Sequence, residues 1–156
     1  MNNARRNVLK GAGAAGAVTV AMAAGLLKPG AVFAADWNKA GFEAKDLNAV
    51  LASVGGAGAA ASGDIVVKAP DIAENGAVVP VEVESKIAGT DAIVIIGEKN
   101  GFPLLADFKL SNGAVGYVST RIKLGATSNV TALVKAGGKV YKASKEVKVT
   151  IGGCGG

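Results

Sequence analysis

Histidine is absent from all 156 residues, and cysteine occurs once. Without histidine there is no Ser-His-Asp or Cys-His catalysis, no imidazole metal site and no ordinary proton shuttle at neutral pH. A single thiol builds neither a zinc cage nor an iron–sulfur site, and it forms no internal disulfide. Aromatic residues make up only 4%, too few for a base-stacking platform. The glycine-rich stretches lack a Walker lysine and the strand–loop–helix order of a phosphate loop. Carboxylates such as Glu82 and Glu84 share one strand face, which reads as solvated surface rather than a hydrolytic pair. No catalytic set, metal site or cofactor is therefore expected, and the chain reads as a non-enzyme.

Acidic residues are missing from the first 35 positions, where Arg5, Arg6, Lys10 and Lys28 are all positive. A soft Ala/Gly-rich apolar run from Gly11 to Leu27 follows the basic start, then the small-residue segment Ala31-Val32-Phe33-Ala34-Ala35. That order is a secretory signal, with cleavage expected after Ala34. The paired Arg5 and Arg6 ahead of a weakly hydrophobic core point to twin-arginine export and a periplasmic protein. The apolar run is at the bottom of the spanning range and too rich in glycine for a lipid-facing helix, so no membrane insertion is expected after cleavage. Removing residues 1–34 leaves 13 basic and 12 acidic residues, a net charge of +1. The remaining lysines alternate with acids and form no basic patch, which excludes a nucleic-acid partner.

About 122 residues remain after cleavage, enough for one core. Asp36-Trp37-Asn38-Lys39 opens a short helical stretch, and Leu47, Val50, Leu51 and Val54 follow amphipathic helix spacing up to Gly55-Gly56. Gly55 to Gly63 holds only Gly, Ala and Ser and reads as a flexible connection. Beyond Asp64 the pattern becomes short β-branched runs. Strands are expected at Ile65–Lys68, Val78–Ser85, Ala92–Glu98, Leu104–Leu110, Gly116–Leu124, Asn129–Lys135, Lys139–Ala143 and Glu146–Ile151, split by turn residues. Val81, Val83 and Ser85 face one way and Glu82, Glu84 and Lys86 the other, and Val147, Val149 and Ile151 oppose Lys148 and Thr150. Such alternation belongs to antiparallel sheets with one wet face. The fold class is mainly β: an immunoglobulin-like antiparallel β-sandwich over 35–151 with a short N-terminal helix, followed by a flexible tail, 152–156. One run, Ala92-Ile93-Val94-Ile95-Ile96, is apolar on both faces. Either it is a central strand covered on both sides, or one face meets a partner.

The tail reads Gly152-Gly153-Cys154-Gly155-Gly156. Glycines place no side chain beside the thiol, and the three steps from Ile151 to Cys154 span about 10 Å when extended. A slim tip with one nucleophile suits entry into a narrow pocket. Thiolates attack, oxidise and exchange through mixed disulfides. No cation lies within the tail, so activation is expected from the enzymes that receive it. A covalent carrier thiol and a chain-to-chain disulfide both remain open on these residues.

The strand-plus-tail Val149-Thr150-Ile151-Gly152-Gly153-Cys154-Gly155-Gly156 resembles the Y-subunit family of the Sox sulfur-oxidising system, thiosulfate-oxidation carriers. The segment Pro70-Asp71-Ile72-Ala73-Glu74-Asn75-Gly76-Ala77-Val78-Val79-Pro80-Val81 and the twin-arginine start are similar too. The resemblance implies covalent attachment of thiosulfate and related inorganic sulfur species at Cys154, with Gly152, Gly153, Gly155 and Gly156 as its arm. It implies a heterodimer with the Sox Z subunit, itself an immunoglobulin-like sandwich. It also implies three enzymes that visit the arm: a haem-containing thiosulfate-conjugating enzyme, a di-manganese hydrolase that releases sulfate and a molybdenum sulfane dehydrogenase. Twin-arginine export carries folded proteins, so a signal-less Z subunit would travel along, and the doubly apolar strand Ala92–Ile96 would suit coverage by it. The alternative is a structural or adaptor β-sandwich in which Cys154 forms an intermolecular disulfide.

Overall fold

A computed structural model describes residues 38–150. The expected signal segment 1–34 and the expected arm 152–156 lie outside the described residues, as do Ile151 and the start of the expected helix at Asp36-Trp37.

Among the described residues two short helices come first. The expected single helical stretch is divided at Ala44, which takes an extended backbone (φ −68°, ψ 133°). Helix α1 spans Lys39–Glu43 and α2 spans Leu47–Ser53. Each begins at a side-chain cap: Asn38 Oδ1 accepts from Gly41 N at 3.0 Å, and Asp46 Oδ2 from Ala49 N at 2.9 Å. The second cap explains why the helix restarts.

Nine strands follow: β1 (Ala60–Ala61), β2 (Ile65–Lys68), β3 (Ile72–Ala73), β4 (Val79–Ser85), β5 (Thr90–Gly97), β6 (Leu104–Lys109), β7 (Tyr117–Ile122), β8 (Ser128–Ala136) and β9 (Lys139–Val149). One sheet has the order β1-β9-β8-β5-β6 with β3 also on β9, and the other has the order β2-β4-β7. The main pairings are antiparallel, and β1 and β3 add two-residue parallel pairings to β9. The sandwich expected from the alternation is therefore present, with its expected strands matched to within two residues apart from the unexpected β3 and two further places. The stretch read as a flexible connection contains β1, which pairs with Tyr141 and Lys142. The two strands expected at Lys139–Ala143 and Glu146–Ile151 are one strand, β9. The interruption comes from Lys145, a charged residue at an inward position of β9 that reads as a strand break.

Gly137 (φ 56°) and Gly138 (φ 75°) form the whole β8–β9 loop. Two consecutive left-handed residues give the turn whose twist matches the flanking strands, and glycine adopts it without a Cβ penalty. Edge strand β6 carries Asp107, whose side chain is only 8% exposed, with Lys109 Nζ 3.0 Å from Oδ1. A charge set into an edge strand discourages edge-to-edge pairing with another sheet.

Two cores flank the larger sheet. Between the sheets, Val79, Val81 and Val83 of β4 meet Ile93 and Ile95 of β5 and Val130, Ala132 and Val134 of β8. On the other face, Val50 and Val54 of the α2 region pack on Val94, Ile96, Leu104 and Leu133. Residues Ala92–Ile96 are thus buried on both faces within one chain. Of the two readings of this run, the central strand covered on both sides holds, and what covers its second face is the chain's own helix rather than a partner. A two-layer sandwich would leave that face wet, and a third layer of helix removes the need for a partner there.

Beyond the helix that same face turns polar, and its buried hydroxyl is paired. Thr131 Oγ1 lies 2.7 Å from Glu98 Oε1 and 2.7 Å from Ser144 Oγ, while Asn129 Nδ2 donates to Glu98 Oε2 at 3.1 Å. Thr131 is buried, so these bonds offset its desolvation. Among the described residues no helix is long and apolar enough to cross a membrane.

Candidate functional site

The residues singled out in the sequence for function, namely Cys154, Gly152, Gly153, Gly155, Gly156, Arg5 and Arg6, all lie outside the described residues. What the structure describes is the platform from which the tail departs. Strand β9 pairs with β8 from Ala136↔Lys139 to Ser128↔Val147, and there the β8 ladder stops. Three more residues of the β9 segment still have bound backbone N–H groups. Lys148 N donates to Asp71 O at 2.9 Å and Thr150 N to Ala73 O at 3.2 Å. Between them, Val149 N donates to the side-chain oxygen of Thr127 at 3.0 Å. Successive N–H groups of a strand point to opposite sides, so β3 holds one edge while Thr127 substitutes for β8 on the other.

The β3 segment is itself fastened at both ends. Lys145 Nζ donates to Ala69 O at 2.6 Å and sits 3.0 Å from Asp71 Oδ1. Downstream, Leu124 N donates to Gly76 O at 2.7 Å. Asn75 closes the connecting turn, with its Oδ1 accepting from Ala77 N at 2.9 Å. Gly76 is required by space: a Cβ there would press on the Leu124 carbonyl oxygen and stand 2.9 Å from Val149 Cγ1. The Gly76→Ala protein should be less stable by about 1–3 kcal/mol, the usual cost of forcing an atom into a packed site. Urea unfolding measures this, and the loss should be accompanied by faster amide exchange at Lys148 and Thr150.

On the same end, Asn100 ties two loops together. Its Nδ2 donates to Lys123 O at 2.7 Å, and its Oδ1 accepts from Gly125 N at 3.0 Å. Ser128, buried, accepts from Lys99 N at 3.0 Å. The loops around the departing strand are thus cross-braced. Two apolar side chains beside it stay in water: Ile72 is 56% exposed and Val78 52%.

Glu82 and Glu84 lie half-buried on the outer face of the smaller sheet, where Glu82 Oε2 is 3.9 Å from Lys68 Nζ. Glu82 lines a shallow surface hollow with Lys68, Ala69, Pro70 and Pro80. Among the described residues no group of three or more His, Cys, Asp or Glu side chains is arranged to hold a metal ion. Sequence reasoning missed Lys145, Thr127 and β3. The signal for Lys145 was present: Ala143, Val147 and Val149 all face inward, and a lysine in that series is out of pattern. Thr127 and β3 had no such signal, because a two-residue strand and a side-chain acceptor leave no periodicity.

The fold and its leading edge define a small immunoglobulin-like β-sandwich protein whose last strand runs into a segment bearing a single thiol. A family model described as "Sulfur oxidation protein SoxY" matches residues 51–154. A solved structure of the sulfur carrier protein SoxY from Chlorobium limicola f thiosulfatophilum is similar at 40% identity. It covers 69% of this chain and 95% of that chain, with a TM-score of 0.62. The chain belongs to the SoxY family of sulfur oxidation proteins. An engineered protein of known structure matches at 14% identity and a TM-score of 0.39, over 56% of this chain and 20% of its own. No curated protein matches.

Proposed function

We propose that this protein is a covalent carrier of sulfur-oxidation intermediates, with Cys154 as the attachment point and Gly152, Gly153, Gly155 and Gly156 as the arm around it. The observation that carries the reading is the braced end of β9. Its backbone is held through Thr150, four residues before the one thiol, and the chain matches its family through residue 154. A fixed base followed by glycines separates the two jobs of a carrier: the body stays put while the thiol enters an enzyme's pocket.

The chemistry follows from the thiol. Loading joins the Cys154 sulfur to the outer sulfur of thiosulfate, forming one S–S bond and releasing two electrons and the thiol proton. A haem-containing partner takes up those electrons. Water then cleaves the bond to the sulfonate group and sulfate leaves, the work of a di-manganese hydrolase, so that a sulfane sulfur stays on the cysteine. A molybdenum dehydrogenase oxidises that remaining sulfur in place. The carrier supplies reach and a nucleophile and turns nothing over. It works with the Z subunit as a heterodimer, in the periplasm, after twin-arginine export directed by Arg5 and Arg6.

Intact-mass spectrometry of the protein from cells oxidising thiosulfate tests the reading. Adducts of added sulfur or sulfonate mass are expected at Cys154 and should disappear on treatment with reductant. A thiol that is always unmodified, or found only in a chain-to-chain disulfide, would sink the proposal and favour an adaptor.

A further inference from the structure

The braced end of β9 depends on a residue that breaks the rule of its own strand. Positions 141, 143, 147 and 149 of β9 pack toward the intersheet core, and Lys145 stands in the same series. An ammonium there is tolerated because the stem lies along the sheet while the charged end reaches the segment between β2 and β3. Its two oxygen partners are unequal. Asp71 is 88% exposed, so that ion pair is weak in water. The bond to the Ala69 carbonyl is shorter, and it pins the backbone just ahead of β3.

β3 needs such a pin. Two residues of strand make too few contacts to stay on a sheet edge unaided. Yet β3 and the adjoining Asp71 carbonyl are what hold Lys148 and Thr150 after β8 has ended. Thr127 holds Val149 from the other side. The chain's last described residues thus depend on two side chains, one on β9 itself and one in the β7–β8 connection.

We propose that Lys145 and Thr127 are positioning residues that set the point and direction from which the thiol-bearing tail leaves the sandwich, and so govern how readily enzymes capture it. This rests on the carrier reading above. Without the two anchors, residues 148–150 join the tail, the thiol samples a larger volume, and fewer encounters present it correctly. The thiol's own chemistry is untouched.

The test uses the full-length chain with its Z partner. Lys145→Met keeps the stem and removes the ammonium, and Thr127→Val removes the acceptor with little change of shape. In each, amide protection should fall about tenfold, the effect of losing one anchoring hydrogen bond, at Lys148 and Thr150 or at Val149 respectively. Protection in β5 should not change. In loading assays with thiosulfate and the haem-containing oxidase, KM for the carrier should rise by a similar factor. kcat and the rate of Cys154 alkylation by iodoacetamide should stay the same. Lys145→Arg, which can still reach Ala69 O, should restore both protection and KM. Unchanged protection in Lys145→Met and Thr127→Val overturns the anchoring role. Lost protection with unchanged KM overturns the link to capture. If the unsubstituted protein accepts no sulfur at all, the carrier reading itself fails, and the exchange result still decides whether the anchors exist.

Discussion

Cys154→Ser should abolish thiosulfate-dependent sulfur oxidation in cells while leaving a folded protein that still binds its partner. Two facts make this a clean expectation. The chain has one cysteine, so no second thiol takes over. Both cores of the described fold are built from residues up to Val149, so the substitution changes none of their side chains. A hydroxyl is a far weaker nucleophile than a thiolate near neutral pH and forms no bond to sulfur that reductants exchange. Oxygen uptake with thiosulfate should drop to the level of a strain lacking the protein. The purified variant should melt within a degree or two of the unsubstituted chain, since it leaves every side chain of the described cores in place. Retained uptake would place the cargo somewhere other than Cys154.

Leu133→Ala should be among the most destabilising single truncations outside the intersheet core. Leu133 is fully buried on the helix-covered face of the larger sheet, among Val50, Val54, Val94 and Ile96. Its Cδ1 also lies against Gly56, just after α2, where a Cβ would come within 2.6 Å. Truncation removes contacts to the sheet, the helix and the following loop at once. The expected loss is about 2–5 kcal/mol, the range for buried leucines. For a domain of this size that lowers the melting temperature by roughly 10 °C or more. Calorimetry measures the total, and amide exchange should show α2 losing protection before β4 does. A loss below 1 kcal/mol would mean that the helix contributes little to holding the sheet.

The sandwich was legible in the alternation of β4 and the end of β9 because one-sided burial stamps a period of two on the residues. Strand limits followed from glycine and asparagine turns. The doubly apolar run of β5 was also visible, but its cause was not. Periodicity reports that a face is buried and is silent on what buries it; only the packing of Val50 and Val54 on Val94 and Ile96 identifies the chain's own helix. The proposed chemistry came from the sequence by a different route. With no histidine and one cysteine, elimination left a single reactive group, and the glycines around it gave it a use. The platform beneath that group was hidden, because Thr127 acts through one oxygen and β3 through two residues.

The direction in which β9 is held has a mechanical consequence. On the proposed carrier reading, an enzyme that gripped the chain beyond Thr150 would pull on β9 from its end. The bonds to β8, from Val147 back to Lys139, run across the strand axis, so they resist such a tug together rather than parting one after another. A load applied there falls on the β8–β9 ladder in shear, and the body would follow such a pull without unzipping.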